Sequence, residues 1–320
     1  MVFVTAEMKK LKKIAKVLLI QAAIILVLFE VVLHIIGWGD PILYLEGEGC
    51  KYRLAPNQKR YMLGYEIQIN SLGMRGSEPK EGKRNLVFYG DSITFAGARV
   101  PDEATFVSLI DEKLKGTGFQ ALNAGVNGYG PKNIKEWFLL SRSTVDIDGL
   151  VLVIPTVDFR RAFCELGKDQ IGFDEEFLTR SHYVFHMFCH FAGIYYRRAR
   201  NAVFGAPQSR VPLPWDSRTE QSVLEENINA YRQIVKAAPR SLIFFVPSRK
   251  EIEEGREGTD KQMFIKSLSE HTRKPIIMDL FPSLLEHGNS IYRDAHHFNQ
   301  KGHRLLSELM WPEVKRLTSD

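Results

Sequence analysis

With 320 residues, 44% of them hydrophobic and 25% charged, the chain has apolar mass for one large core or two smaller ones and is excluded from the disordered class. Its formal charge of +5 does not argue for nucleic acid, because Lys9, Lys10, Lys12, Lys13 and Lys16 stand together ahead of the first apolar stretch. Cys50, Cys164 and Cys189 are too few for a disulfide scaffold and lack the CxxC spacing of structural zinc; an oxidising compartment would permit one bridge, with no pair singled out.

The first predicted element is residues 17–36, VLLIQAAIILVLFEVVLHII. About 20 residues at ~1.5 Å each reach ~30 Å, the hydrocarbon thickness of a bilayer. The run is too long for the apolar part of a signal peptide and lacks a small-residue cleavage site. Lysines before it and the acidic GDPILYLEGEG behind it place the N-terminus in the cytoplasm. Everything after about Trp38 is then outside, in the periplasm of a Gram-negative cell. Gln21, Glu30 and His34 are polar for such a site, and an amphipathic core helix is the alternative. Residues 1–37 are therefore expected to be a basic tip and a single-pass anchor in the inner (cytoplasmic) membrane.

Residues 38–84 read as an extended lead-in: YRLAPNQKRY, the alternating YEIQIN and the turn SLGMRG. From Asn85 onward apolar runs alternate with helical spacing, over a domain expected to span 85–320. NLVFYG is a strand, and residues 102–115 are helical through Phe106, Leu109, Ile110 and Leu114. FQALNAG is the next strand and residues 131–143 the next helix. GLVLVIP at 149–155 is apolar on both faces, as a buried parallel strand requires. Helices near 219–238 and 260–271 precede strands LIFFVP and PIIMDL, and a last helix covers 299–317. This alternation predicts an α/β fold with a mainly parallel sheet covered on both sides. Residues 160–215, aromatic and basic, interrupt it as an insertion or lid.

Chemistry in such sheets gathers at the carboxyl ends of the strands. Ser92 stands at one such end, after Gly90 and Asp91; Asp158 stands at another. Alone, Gly-Asp-Ser reads as a helix N-cap. A serine nucleophile also needs a base, and the base needs an orienting group. Near the C-terminus, YRDAHHFNQKGH places Asp294 three residues before His297, one turn of chain from carboxylate to imidazole. His296 would point elsewhere, and His303 is expected to be structural.

These blocks resemble the SGNH (GDSL-type) hydrolase family over roughly residues 60–317. Gly90, Asp91 and Ser92 match its first block, Gly128 in NAGVNGYG its second, and Asp294, His297, Asn299, Gly302 and His303 its last. INSLGMRG looks like membrane-tethered bacterial members. The resemblance implies a three-layer α/β/α (SGNH/flavodoxin-like) domain without a cofactor. Ser92 would be the nucleophile, His297 the base and Asp294 its partner, with the Ser92 and Gly128 amides as the oxyanion hole. The third block departs from the pattern: Val157 stands where the family has an oxyanion-hole Asn, with Asp158 kept behind it. Asn127, Thr156 and Asn123 are candidates to replace that donor, whose loss typically costs ~100- to 1000-fold in turnover. The G-x-S-x-G elbow of α/β-hydrolases is absent, since Ile93 and Thr94 follow Ser92.

The implied activity is hydrolysis of a carboxylic ester, by analogy an O-acyl group on a cell-surface glycan or a lipid. A glycan O-acyltransferase on the same triad, or a catalytically impaired glycan-binding or assembly protein, are the alternatives. His182, His186 and His190 fall four apart, but without an HExxH carboxylate they read as a lid helix rather than a metal site. YYRRARN at 195–201 reads as a solvated helix end, with an anionic headgroup or glycan as the alternative. Asp146 and Asp148 read as turn residues. Neither GxxxxGK[ST] nor GxGxxG occurs, so no nucleotide motif is present.

Overall fold

The structure, a computed structural model, describes residues 2–35, 42–47, 49–62, 65–97, 100–161, 220–258, 260–270 and 275–319. The chain divides into two compact units, one containing residues 2–35 and the other the sheet with its helices. In the first, α1 (Val2–Ile35) is one continuous helix. Six consecutive residues, Ile24 to Phe29, each expose 49–64% of their surface. Six residues exceed one turn, so this stretch is apolar and exposed on every side. Among the described side chains, no helix is long and apolar enough to cross a membrane. Those of Glu30, Leu33 and His34, within the expected span, lie outside the description.

The segment after α1 forms β1 (Tyr44–Gly47), β2 (Lys51–Leu54), β3 (Gln58–Met62) and β4 (Tyr65–Ile69). The first two make an antiparallel hairpin with Tyr44 opposite Leu54, and the other two make a second two-stranded sheet. Alternation in YEIQIN survives as the burial of Ile67 and Ile69.

The alternating half then gives, in order, β5 (Arg84–Tyr89), α2 (Ser92–Phe95), α3 (Phe106–Lys113), β6 (Phe119–Asn123), α4 (Pro131–Ser141), β7 (Gly149–Pro155), α5 (Glu220–Ala237), β8 (Ser241–Val246), α6 (Arg249–Glu254), α7 (Asp260–Ser269), β9 (Ile276–Asp279), α8 (Phe281–Leu285) and α9 (Gln300–Ser319). The five strands lie in the order β6-β5-β7-β8-β9, every pairing parallel. Leu86, Phe88, Val151, Val153 and Phe244 face one core, which α3 and α9 complete with Ile110, Leu306 and Met310. The alternate residues Val87, Tyr89, Leu150 and Leu152 are just as buried, so both faces are covered. That is why GLVLVIP carries no polar face.

The first strand of this sheet, β5, is flanked by the second and third, β6 and β7. Strand order therefore reverses there, and loops leaving the carboxyl ends of β5 and β7 open a crevice between them. Ser92 leaves β5 and Asp158 leaves β7. The insertion expected at 160–215, with His182, His186, His190, Cys164, Cys189 and YYRRARN, lies outside the described residues from 162 onward.

Candidate active site

Asp91, not Ser92, caps α2. Its Oδ1 accepts the Ile93 amide at 2.8 Å, which leaves Ser92 as the first helical residue with its hydroxyl free to face the C-terminal segment. Ser92 Oγ lies 2.9 Å from His297 Nε2 and 3.3 Å from Asp91 Oδ2. On the other side of the ring, His297 Nδ1 is 2.8 and 3.1 Å from the two oxygens of Asp294. The three-residue spacing works through the backbone as well. Asp294 Oδ1 accepts the amides of His297 at 2.9 Å and His296 at 3.1 Å, which fixes the carboxylate under the ring.

The electrostatics of this chain run in one direction. Partial burial pushes the Asp294 carboxyl up, but the His297 and His296 amides and the His297 ring outweigh it and hold it well below the usual carboxylate range. An ionised Asp294 accepts from Nδ1–H, so the hydrogen-bond network assigns the Nε2 lone pair to the Ser92 hydroxyl. Side chains of His297 and Asp294 are 18% and 38% exposed, so this relay opens to water. His296 is exposed and outside it.

His303 is placed differently. Its ring stacks on Phe106, its Nδ1 accepts the Phe106 amide at 3.3 Å, and burial, then the charges of Arg75 and His297, push it down to about 3. A buried neutral imidazole bound to a backbone amide is a structural group.

The loop after β6 lies against the turn that carries Ser92. A Cβ at Gly125 would fall 2.7 Å from Thr94 Cβ, so only glycine allows this approach. Gly128 has φ +79°, a left-handed conformation natural to glycine. The hairpin ahead of the domain holds the loop: Tyr52 Oη donates to the Asn127 carbonyl at 2.8 Å, and Tyr129 Oη donates to the Tyr52 carbonyl. Asn127 Nδ2 donates to Tyr44 Oη at 3.0 Å.

Side chains named from sequence as replacement oxyanion donors are engaged elsewhere. Asn127 is on Tyr44. Thr156 Oγ1 donates to Glu251 at 2.5 Å, and Asn123 Nδ2 to the Thr94 carbonyl at 2.8 Å. Val157 itself is 42% exposed. Behind it Asp158 is buried, with Arg161 Nη2 2.6 Å from Oδ1. Burial, then the negative charge of Asp91, pushes its carboxyl well above the usual range, against the pull of Arg161.

Asp148 accepts the Asn85 amide at 2.8 Å at the opposite, amino end of β5, a turn role as expected. Cys50 is a buried free thiol. Among the described residues no group of His, Cys, Asp or Glu is arranged to hold a metal ion. Sequence reasoning missed Tyr44, Tyr52 and Arg75, the last a buried guanidinium on the carbonyls of Phe95, Gly97 and Val100.

No family model matches the chain, and no curated protein matches it. Several solved structures are similar in fold. A member of the lipolytic G-D-S-L family from Veillonella parvula is 14% identical, with 73% of this chain and 99% of that one covered at a TM-score of 0.43. A psychrotrophic esterase from Pseudoalteromonas sp. is 14% identical, with 74% and 100% covered at 0.44. An acetylxylan esterase from Geobacillus stearothermophilus, solved as a catalytic mutant, is 17% identical, with 74% and 96% covered at 0.44.

Proposed function

We propose that this protein is a serine esterase of SGNH type, acting on carboxylic esters through Ser92, His297 and Asp294. One observation carries the reading: a hydroxyl and an imidazole 205 residues apart in sequence meet at 2.9 Å, with a carboxylate 2.8 Å behind the ring. His297 takes the Ser92 proton as Oγ attacks the ester carbonyl, then returns it to the departing alcohol. Water, activated by the same ring, releases the acyl group from Ser92. Asp294 stays ionised, holds the tautomer and stabilises the imidazolium.

The amides of Ser92 and Gly128 supply the oxyanion hole in this reading. With Val157 in the third position, hydrolysis is expected to be ~100- to 1000-fold slower than in a three-donor site. The proposed substrate is an O-acyl group on a bulky cell-surface glycan. Support comes from the exposure of His297, Asp294 and Val157, which lets a large substrate reach the serine without being engulfed. We further propose that α1 is the single-pass inner-membrane anchor, N-terminus in the cytoplasm and the catalytic unit in the periplasm. Lysines at its start and apolar exposure on every side support this.

A fluorophosphonate probe with short-chain aryl esters tests the esterase. Wild-type protein should label at Ser92, and Ser92→Ala should lose labelling and about 10⁴-fold or more in turnover. Folded wild-type protein that neither labels nor turns over would remove the esterase reading. It would favour the second one, an impaired glycan-binding or assembly protein, for which Val157 is the motive.

A further inference from the structure

We propose that Arg75, from the SLGMRG turn ahead of β5, is a positioning residue for Ser92; this rests on Ser92 being the nucleophile. α2 is a single turn of four residues. So short a helix makes almost none of its own bonds and cannot hold itself in water. The chain leaves it through two successive left-handed residues, Ala96 at φ 66° and Gly97 at φ 54°. Alanine is disfavoured there, so the exit needs outside support.

Arg75 supplies that support. Its guanidinium is almost fully buried, and it donates Nη1 to the carbonyls of Phe95 at 2.5 Å and Gly97 at 2.6 Å, and Nη2 to Val100 at 2.8 Å. Nε donates to Asp102 Oδ1 at 2.7 Å, which compensates the charge, and the group lies over the Phe95 ring at 5.2 Å. Asn123 completes the set: its carbonyl accepts the Arg75 amide at 2.9 Å, and its Nδ2 donates to the Thr94 carbonyl at 2.8 Å. One planar fork thus binds the carbonyls of Phe95, Gly97 and Val100 together, a geometry an ammonium cannot copy. The amino end of α2 is fixed by Asp91. With both ends held, Ser92 Oγ is kept at its distance from His297. Loosening the exit moves the attacking atom, and ångström-scale displacement of a reacting group lowers turnover by orders of magnitude.

The test compares Arg75→Lys with wild type in thermal melting, in KM and kcat on an aryl ester, and in the rate of fluorophosphonate labelling. Expected are a folded protein, KM within about twofold, and kcat and labelling rate both lower by about tenfold or more. Titration with the probe should still count one reactive serine per folded chain. A lysine variant with wild-type kcat overturns the proposal. So does a loss that merely tracks the fraction of folded protein. If Arg75→Lys does not fold, Arg75→Gln is read in the same way; if neither folds, Arg75 is only structural and the proposal falls. Ser92→Ala run alongside separates the two ideas. Turnover surviving that substitution removes the nucleophile, whereas an inert Ser92→Ala beside a wild-type-like Arg75→Lys removes only the clamp.

Discussion

His297 and His303 are six residues apart and have opposite fates. The first faces water with a carboxylate behind it; the second is stacked on Phe106 and kept neutral, with its affinity for a proton pushed down to about 3. In the unfolded chain the same ring binds a proton near ~6.5. Because the folded value is the lower, His303 supports the fold fully above about pH 6.5. As pH falls, the unfolded state gains a proton that the folded state refuses. The loss is about 1.4 kcal/mol for each pH unit, so about 2 kcal/mol by pH 5. His303→Gln keeps an acceptor for the Phe106 amide but cannot titrate. Melting curves at pH 7 and pH 5 should therefore show a smaller acid loss for this variant than for wild type; equal losses would contradict a buried neutral His303. Asp158 acts with the reverse sign. Its carboxyl is pushed up by burial and by Asp91, so its contribution fades as pH rises.

The hairpin of β1 and β2 shows that the site is built by more than the alternating domain. Tyr52 reaches from β2 to the Asn127 carbonyl, one residue before Gly128. Tyr52→Phe removes that bond, should cost about 1 kcal/mol in stability, and should lower kcat more than it raises KM if the Gly128 amide acts on the oxyanion as proposed. Steady-state kinetics with a melting curve check both; an unchanged kcat would show that the hairpin only packs. The inner strands β5, β7 and β8 were legible because burial on both faces leaves unbroken apolar runs. Helices α3, α4, α5 and α9 were legible from spacing and start within a few residues of expectation, except that residues 102–104 are a 3-10 turn ahead of α3. Four- to six-residue helices such as α2, α6 and α8 leave no periodicity to read. The meeting of Ser92, His297 and Asp294 was legible because Asp294 and His297 stand three residues apart and Ser92 follows the end of a strand. Arg75 and Tyr52 were not, since their partners are tens of residues away and nothing in SLGMRG or KYRL marks which side chain turns inward. Asn127 looked available as an oxyanion donor for the same reason: its bond to Tyr44 spans 83 residues.

At the level of the whole molecule, the proposed anchor makes a separable prediction. Cell fractionation should find the full-length chain in membranes, released by detergent and not by carbonate or high salt. Protease added outside spheroplasts should digest the catalytic unit. Release by carbonate would limit α1 to a surface-bound helix. The parallel sheet carries a different implication, one of timing. Its first strand sits inside the sheet and delivers the hydroxyl, whereas the imidazole follows in sequence the last strand, β9, at the far edge. Contacts of such long sequence separation form late in folding. A chain still being made, or one cut short before residue 297, therefore carries an ordinary alcohol at position 92. In the proposed mechanism, reactivity at Ser92 therefore depends on docking of the segment that carries His297.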